Sequence, residues 1–287
     1  MRKNIRRVLL LVFLAGALFT GWKYCEETAP DMASEKWYEA ARQAGSAENT
    51  ETAGGQGPWE PLPDFDALRA SCPDIQAWIR NPGTQLDYPV VQGEDNAYYL
   101  DHLPDGTANR NGSVFMDWRN QEDFSDPLTV LYGHHIRGGR MFSSLDGYKE
   151  QAYYEEHPCL YLYTPDAVYC VELLAGVILD GGAEEFPIGA DQEELSRWLA
   201  QMTERSTFQA SSVLPAGPTL PAEPVLPARS GFQTGGQSAA AGAEGQKAAA
   251  SCTDGEAPLY LALCTCTYEY SNARYMVAGR MRKVQEL

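Results

Sequence analysis

Positive charge is scarce in this 287-residue chain: 22 lysines and arginines stand against 39 aspartates and glutamates, a formal net charge of −17. A protein that tracks nucleic-acid phosphates needs a basic face, so this balance argues against a nucleic-acid partner. Acidity of this kind serves solubility and names no partner by itself. Metal-ligand spacing is missing as well. The seven cysteines include no Cys-x-x-Cys pair, and the four histidines follow no zinc pattern. An odd number of cysteines cannot all pair within one chain, which is compatible with a reactive thiol. Cys72, Cys159 and Cys170 read as small buried hydrophobes.

Long apolar runs are also absent, with one exception. Residues 8–22 are apolar and follow the basic flank Met1-Arg-Lys-Asn-Ile-Arg-Arg7. The run is shorter than the ~20 residues of an ordinary spanning helix. Ala15-Gly-Ala17 is its only small-residue cleavage candidate, and apolar residues continue past it. The reading is an uncleaved signal-anchor over 1–23, with a cytoplasmic N-terminus and the body outside the membrane. A cleaved signal peptide is the alternative, and it exports the body too. Residues 24–58 read as a linker with a short amphipathic helix within 30–43 and a Gly-rich polar stalk after it. The folded body is expected over 59–287.

Within that body, short β-rich runs alternate with turn chemistry such as Pro104-Asp-Gly106 and Asn109-Arg-Asn-Gly112. Strands are expected near 86–91, 113–117, 128–132, 159–164 and 167–178, with a helix over 191–203 that has an acidic first turn. Many short strands and few helices make a mostly β domain, a barrel or a sandwich. From 209 to 256 the composition changes. Pro215, Pro218, Pro221, Pro224 and Pro227 recur every third residue, and Ala and Gly dominate residues 231–250. Such a segment buries too little apolar surface to offset its ordering entropy, so a disordered Pro/Ala/Gly-rich insertion is expected there.

The chemistry concentrates near the C-terminus. An apolar run ends in Cys266, a polar turn comes next, and Arg274 opens the second run. A thiol at one strand end and a guanidinium at the start of the next suit covalent attack on a carbonyl, the cation steadying the oxyanion. The base comes from few histidines. His134 and His135 end the run Leu128-Thr-Val-Leu-Tyr-Gly-His-His135, and adjacent residues of an extended chain face opposite ways, so only one can meet the thiol. His134 is the candidate and His135 its rival; His102 and His157 need no role. Arg280 is the alternative cation. Cys264 shares the strand face of Cys266 and is open to three readings: small filler, redox partner of Cys266, or nucleophile. Tyr132, Tyr268 and Tyr270 could line a groove or simply pack.

These residues carry a resemblance. Leu261-Ala-Leu-Cys-Thr-Cys266 resembles the Thr-Leu-x-Thr-Cys motif of sortases, Arg274 falls where the family has its arginine, and Leu131-Tyr-Gly-His134 resembles the family's histidine motif. Cys72-Pro-Asp-Ile-Gln-Ala-Trp-Ile-Arg80, Leu86-Asp-Tyr-Pro-Val-Val-Gln92, Asp95-Asn-Ala-Tyr-Tyr-Leu100 and Gly112-Ser-Val-Phe-Met-Asp117 resemble the class B branch. The resemblance runs over about 64–207 and 258–281 in the family's order, and Cys264 departs from it, since a small residue such as Ser is usual there. It implies a closed sortase-like β-barrel with a few peripheral helices. It also implies a membrane-anchored cysteine transpeptidase that needs no metal or organic cofactor. Cys266 would attack the Thr carbonyl of a sorting motif in a secreted protein, His134 would shuttle the proton and Arg274 would stabilise the transition state. The amine of a peptidoglycan precursor or a pilin lysine would then resolve the thioester. Two other readings share the sequence: a thiol protease hydrolysing surface proteins, and a non-enzymatic surface scaffold or adhesin.

Overall fold

A computed structural model describes residues 2–45, 61–136, 138–181, 185–211, 257–266 and 272–287. In chain order it contains α1 (Arg2–Gly45), α2 (Phe65–Ser71), β1 (Ile75–Arg80), β2 (Asp87–Gln92), β3 (Val114–Met116), β4 (Leu128–Tyr132), β5 (His135–Ile136), β6 (Arg140–Met141), α3 (Gln151–Glu156), β7 (Cys159–Tyr163), β8 (Ala167–Asp180), α4 (Gln192–Glu204), β9 (Leu259–Cys266) and β10 (Ala273–Glu286).

Alternation along the strands decides what faces what. Leu261 and Leu263 of β9 join Tyr275 and Val277 of β10 in the cluster that fills the barrel, whereas Ala262, Cys264, Met276 and Ala278 face outwards. The outer residues are covered by Leu195 and Met202 of α4. That helix starts where Asp191 accepts from the Glu194 N–H at 2.9 Å, and acidic residues fill its first turn. A third cluster packs Phe65 and Leu68 of α2 and Ala41 of α1 against Trp78 and Tyr163.

The strands close into a barrel in the order β1-β2-β3-β4-β9-β10-β8-β7, sealed by β7 pairing back onto β1; β5 and β6 form a separate two-stranded ribbon. This order gathers three chain segments at one place. β4 and β9 run parallel, Tyr132 opposite Cys264, and β10 returns antiparallel from β9, Arg274 opposite Cys266. The C-terminal ends of β4 and β9 and the start of β10 therefore share one end of the barrel. Parallel neighbours need a long crossover, which here includes β7, β8, α4 and the Pro/Ala/Gly-rich stretch. That stretch, apart from residues 209–211, lies outside the described residues, as do residues 46–60.

The apolar N-terminal run and the short helix expected within 30–43 belong to a single 44-residue helix, α1. At 1.5 Å per residue it is about 66 Å long. It is long and apolar enough to cross a membrane, and its leucines and phenylalanines from Leu9 to Phe19 are exposed. Pro30 lies inside it. Proline lacks an N–H and crowds the preceding turn, freeing carbonyls there. Loop residues of the body brace the helix on either side of it: Arg110 donates to the Glu27 carbonyl and Asn109 Nδ2 to the Pro30 carbonyl at 2.8 Å. Ser34, Tyr38 and Ala41, spaced along one helix face, are buried, and the Tyr38 hydroxyl donates to Gly112 O at 2.8 Å.

Asp31 ties this helix to two loops. It accepts from Arg110 at 3.1 Å and Asn111 at 3.1 Å and pairs with Arg140 at 3.2 Å, in the ribbon that follows His134. Burial pushes its carboxyl up, but bonds from Asn111, Arg110 and Arg140 outweigh that and hold it below the usual range. A depressed carboxylate stabilises the fold above its unfolded pKa, and the contribution fades as pH falls through the folded value. Asp31→Ala is expected to cost about 1–2 kcal/mol at neutral pH. Urea denaturation of the detergent-solubilised chain measures it, and an unchanged midpoint would contradict the assignment.

Candidate active site

The end of the barrel shared by β4, β9 and β10 carries a cleft of about 230 Å³, lined by Asn96, Leu100, Phe115, Tyr132, Gly133, His134, Cys264, Thr265 and Arg274. Two of the three residues singled out for chemistry, His134 and Arg274, thus face one cavity. The third, Cys266, ends the strand that lies between theirs, and its backbone pairs with that of Arg274. Its side chain, and Tyr268 and Tyr270, lie outside the described residues.

His134 follows β4 directly. The Gly133 N–H extends the parallel ladder to Cys264 O at 3.2 Å, and the Phe142 N–H donates to His134 O at 3.0 Å, so the backbone is held from both sides. Gly133 is required by proximity: a Cβ there would sit 2.7 Å from the Phe142 ring. The His134 imidazole is half-buried, its Nε2 2.6 Å from the Leu100 carbonyl oxygen. A carbonyl can only accept, so this contact keeps a proton on Nε2 and leaves Nδ1 for proton transfer. His135 points elsewhere. Its Nε2 is 2.7 Å from Asp146 Oδ2, and it does not line the cleft. His102 stacks on Tyr98 at 4.1 Å between ring centroids, and His157 packs against Tyr153.

Arg274 lies on the outward face of β10 and is half-buried. Its arm crosses the end of β8, where a Cβ on Gly181 would be 2.6 Å from the Arg274 Nε. The Gly181 N–H donates to Asn272 O at 3.1 Å, continuing the β8–β10 pairing past Asp180 and Ala273. Asn272 takes a positive φ of 66°, which asparagine tolerates better than most residues. Arg274 lines the cleft, and among the described residues no carboxylate pairs with it. Arg280 is exposed farther along β10 and outside the cleft.

Cys264 is buried, packs in the outer apolar cluster and touches the cleft wall. Tyr132 also lines the cleft. Burial, then the nearby Asp117 charge, holds its phenol well above the usual range, so it stays a neutral hydroxyl. Its partner Asp117, with Asn96, forms a polar group that residue type alone did not single out. Both sat in the sequence inside stretches notable only for their resemblance, and no spacing rule joins residues 96, 117 and 132. A larger concavity of about 1080 Å³ lies near the Asp95–Tyr99 stretch, lined by polar and acidic residues, but it contains none of the residues flagged for chemistry. Among the described residues no cluster of histidine, cysteine or carboxylate side chains could hold a metal ion.

No protein-family model matches the chain. It is 31% identical to sortase B of Listeria monocytogenes over 167 residues, 58% of this chain and 67% of that protein. It is 42% identical to sortase B of Staphylococcus aureus over 95 residues, 33% of this chain and 39% of that one. Its fold superposes on a structure of the Staphylococcus aureus sortase B–substrate complex with a TM-score of 0.64 at 22% identity, covering 89% of this chain and 99% of the other. The closed barrel, the cleft at one of its ends and the sequence relationship to the Listeria protein agree: the chain belongs to the class B sortase family of cysteine transpeptidases.

Proposed function

We propose that the chain is a membrane-anchored sortase that cleaves a C-terminal sorting motif in secreted proteins and transfers the acyl part to an amine. The observation that supports this best is the cleft shared by His134 and Arg274 at the end of the strand that finishes in Cys266. The thiolate of Cys266 attacks the carbonyl carbon of a threonine, and the electron pair of the C=O bond moves onto oxygen. The guanidinium of Arg274 donates to that oxyanion with a fixed fork that a lysine lacks. Collapse of the adduct breaks the C–N bond, and His134 delivers a proton to the departing amine, leaving a thioester on Cys266. An incoming amine, from a peptidoglycan precursor or a pilin lysine, loses its proton to His134, attacks the thioester and frees the thiolate.

On this reading α1 anchors the protein, with the basic residues before its apolar run in the cytoplasm and the barrel outside. Residues 209–211 still bond to Gln151 and Tyr154, and the segment 212–256 after them is a spacer whose composition asks nothing of the barrel. Excising 212–256 should leave a folded, active domain; a loss of cooperative unfolding would overturn the spacer reading. The transpeptidase reading is tested by incubating the purified chain with fluorogenic peptides carrying threonine at the scissile position, with and without an added amine. A new peptide–amine conjugate is expected. Cleavage at the same rate with no conjugate would identify a thiol protease instead.

A further inference from the structure

Asp117 follows β3, and its side chain is completely buried next to the cleft. Its two oxygens are crowded with donors. Oδ1 accepts from the Arg119 backbone N–H at 3.0 Å and from Arg119 Nε at 2.9 Å. Oδ2 accepts from the other arm of that guanidinium at 2.9 Å, from Asn96 Nδ2 at 3.0 Å and from the Tyr132 hydroxyl at 3.0 Å. Burial raises the carboxyl, yet the bonds from Arg119 and Asn96 outweigh it and the group lies below the usual carboxylate range. It is therefore ionised at neutral pH and can only accept.

That restriction fixes the polarity of two cleft residues. The Asn96 amide gives one N–H to Asp117, while its Oδ1 accepts from the Trp118 N–H at 3.0 Å, so the amide cannot turn over. One Asn96 N–H is left. Tyr132 spends its only hydroxyl proton on Asp117, so its oxygen is left as an acceptor. Both residues are half-buried and line the cleft with His134 and Arg274. One fixed donor and one fixed acceptor match what an extended peptide backbone presents, a carbonyl and an N–H.

We infer that Asp117 is a positioning residue for the acyl donor: it holds Asn96 and Tyr132 so that the cleft wall offers one N–H and one oxygen to the substrate's peptide backbone. This rests on the sortase reading. Asp117 touches no reacting atom, so its effect should pass entirely through the two residues it holds, and it should appear in KM more than in kcat. An Asp117→Asn variant brings an NH2 group among five donated hydrogens, which turns at least one of the two cleft side chains.

The test is a double-mutant cycle in the full chain, with kcat and KM measured on quenched fluorogenic peptides carrying threonine at the scissile position. Asp117→Asn is expected to lower kcat/KM about 10–100-fold, chiefly through KM, with the alkylation rate of Cys266 by iodoacetamide unchanged. Asn96→Ala and Tyr132→Phe should each raise KM several-fold. Adding either to Asp117→Asn should cost little more, because the same interaction is lost once. Strictly additive losses, or an Asp117→Asn enzyme with unaltered KM, would overturn the inference while leaving the sortase reading intact. A wild-type chain that cleaves none of the peptides overturns both. If Asp117→Asn fails to fold, the conservative Tyr132→Phe variant decides, and an unchanged KM there refutes the role.

Discussion

Replacing Cys266 with alanine is expected to lower turnover of a sorting peptide by about 10⁴-fold or more, whereas Cys264→Ala should keep activity within about tenfold. The contrast matters because the two thiols are two residues apart on β9 and either could be labelled by an electrophile. Cys264 is buried among Ala262, Met276 and Ala278, where it fills space between the barrel and α4. Removing its sulfur opens a small cavity, so a loss of about 1 kcal/mol of stability is the expected penalty. Cys266 finishes the strand beside the start of β10. Initial rates on fluorogenic peptides, with thermal unfolding as a control, separate the two. An inactive Cys264→Ala that folds normally, beside an active Cys266→Ala, would reverse the assignment.

Arg274 carries the second large effect. Arg274→Ala should reduce kcat about 10²–10³-fold, the scale seen when one oxyanion donor is lost. Arg274→Lys should recover little of it, since a flexible ammonium cannot reproduce the guanidinium fork. Gly181 provides an independent check. A methyl group there would lie 2.6 Å from the Arg274 Nε and 2.9 Å from Asn272 O, so Gly181→Ala must displace the arm or the turn. It should lower kcat without altering any residue assigned to the chemistry, by about tenfold or more. Steady-state kinetics measure it, and a Gly181→Ala enzyme with full kcat would mean that the arm's path over β8 is not the productive one.

Much of this arrangement was legible in the sequence because local patterns wrote it. The run at 128–132 is the strand Leu128–Tyr132, and the acidic first turn at 191–194 begins α4. Barrel closure was not written locally. It came from resemblance, because no residue of β4 announces that it will pair in parallel with a strand more than 120 positions later. The same limit hid the group of Asn96, Asp117 and Tyr132, which come together only through the β3–β4 pairing and the 95–100 turn. Pro30 shows a different failure. By propensity it marks a helix start or break, and here α1 runs through it, braced against the body by Asn109 at the Pro30 carbonyl and Arg110 at the Glu27 carbonyl. Tertiary contacts outweighed the local rule.

In the sequence, alternation says only that one of His134 and His135 can meet the thiol, and the likeness of Leu131-Tyr-Gly-His134 to the family's histidine motif picks His134; the contacts explain the choice further. His135 is held by Asp146, which Lys149 also binds at 2.7 Å, while His134 faces the cleft through its contact with the Leu100 carbonyl. The segment Asp95–Leu100 thus serves both sides of the site: Asn96 on the cleft wall and Leu100 behind the imidazole.

The convergence of Cys266, His134 and Arg274 on one bound peptide is tested most directly by trapping the thioester. The chain is incubated with a threonine-containing sorting peptide in the absence of amine, quenched in acid, digested, and the acylated residue located by mass spectrometry. One acyl group is expected, on Cys266, that disappears when an amine is added and forms about 10²–10³-fold more slowly in Arg274→Ala. Acyl transfer to Cys264, or peptide cleavage with no cysteine modified at any time, would contradict that convergence.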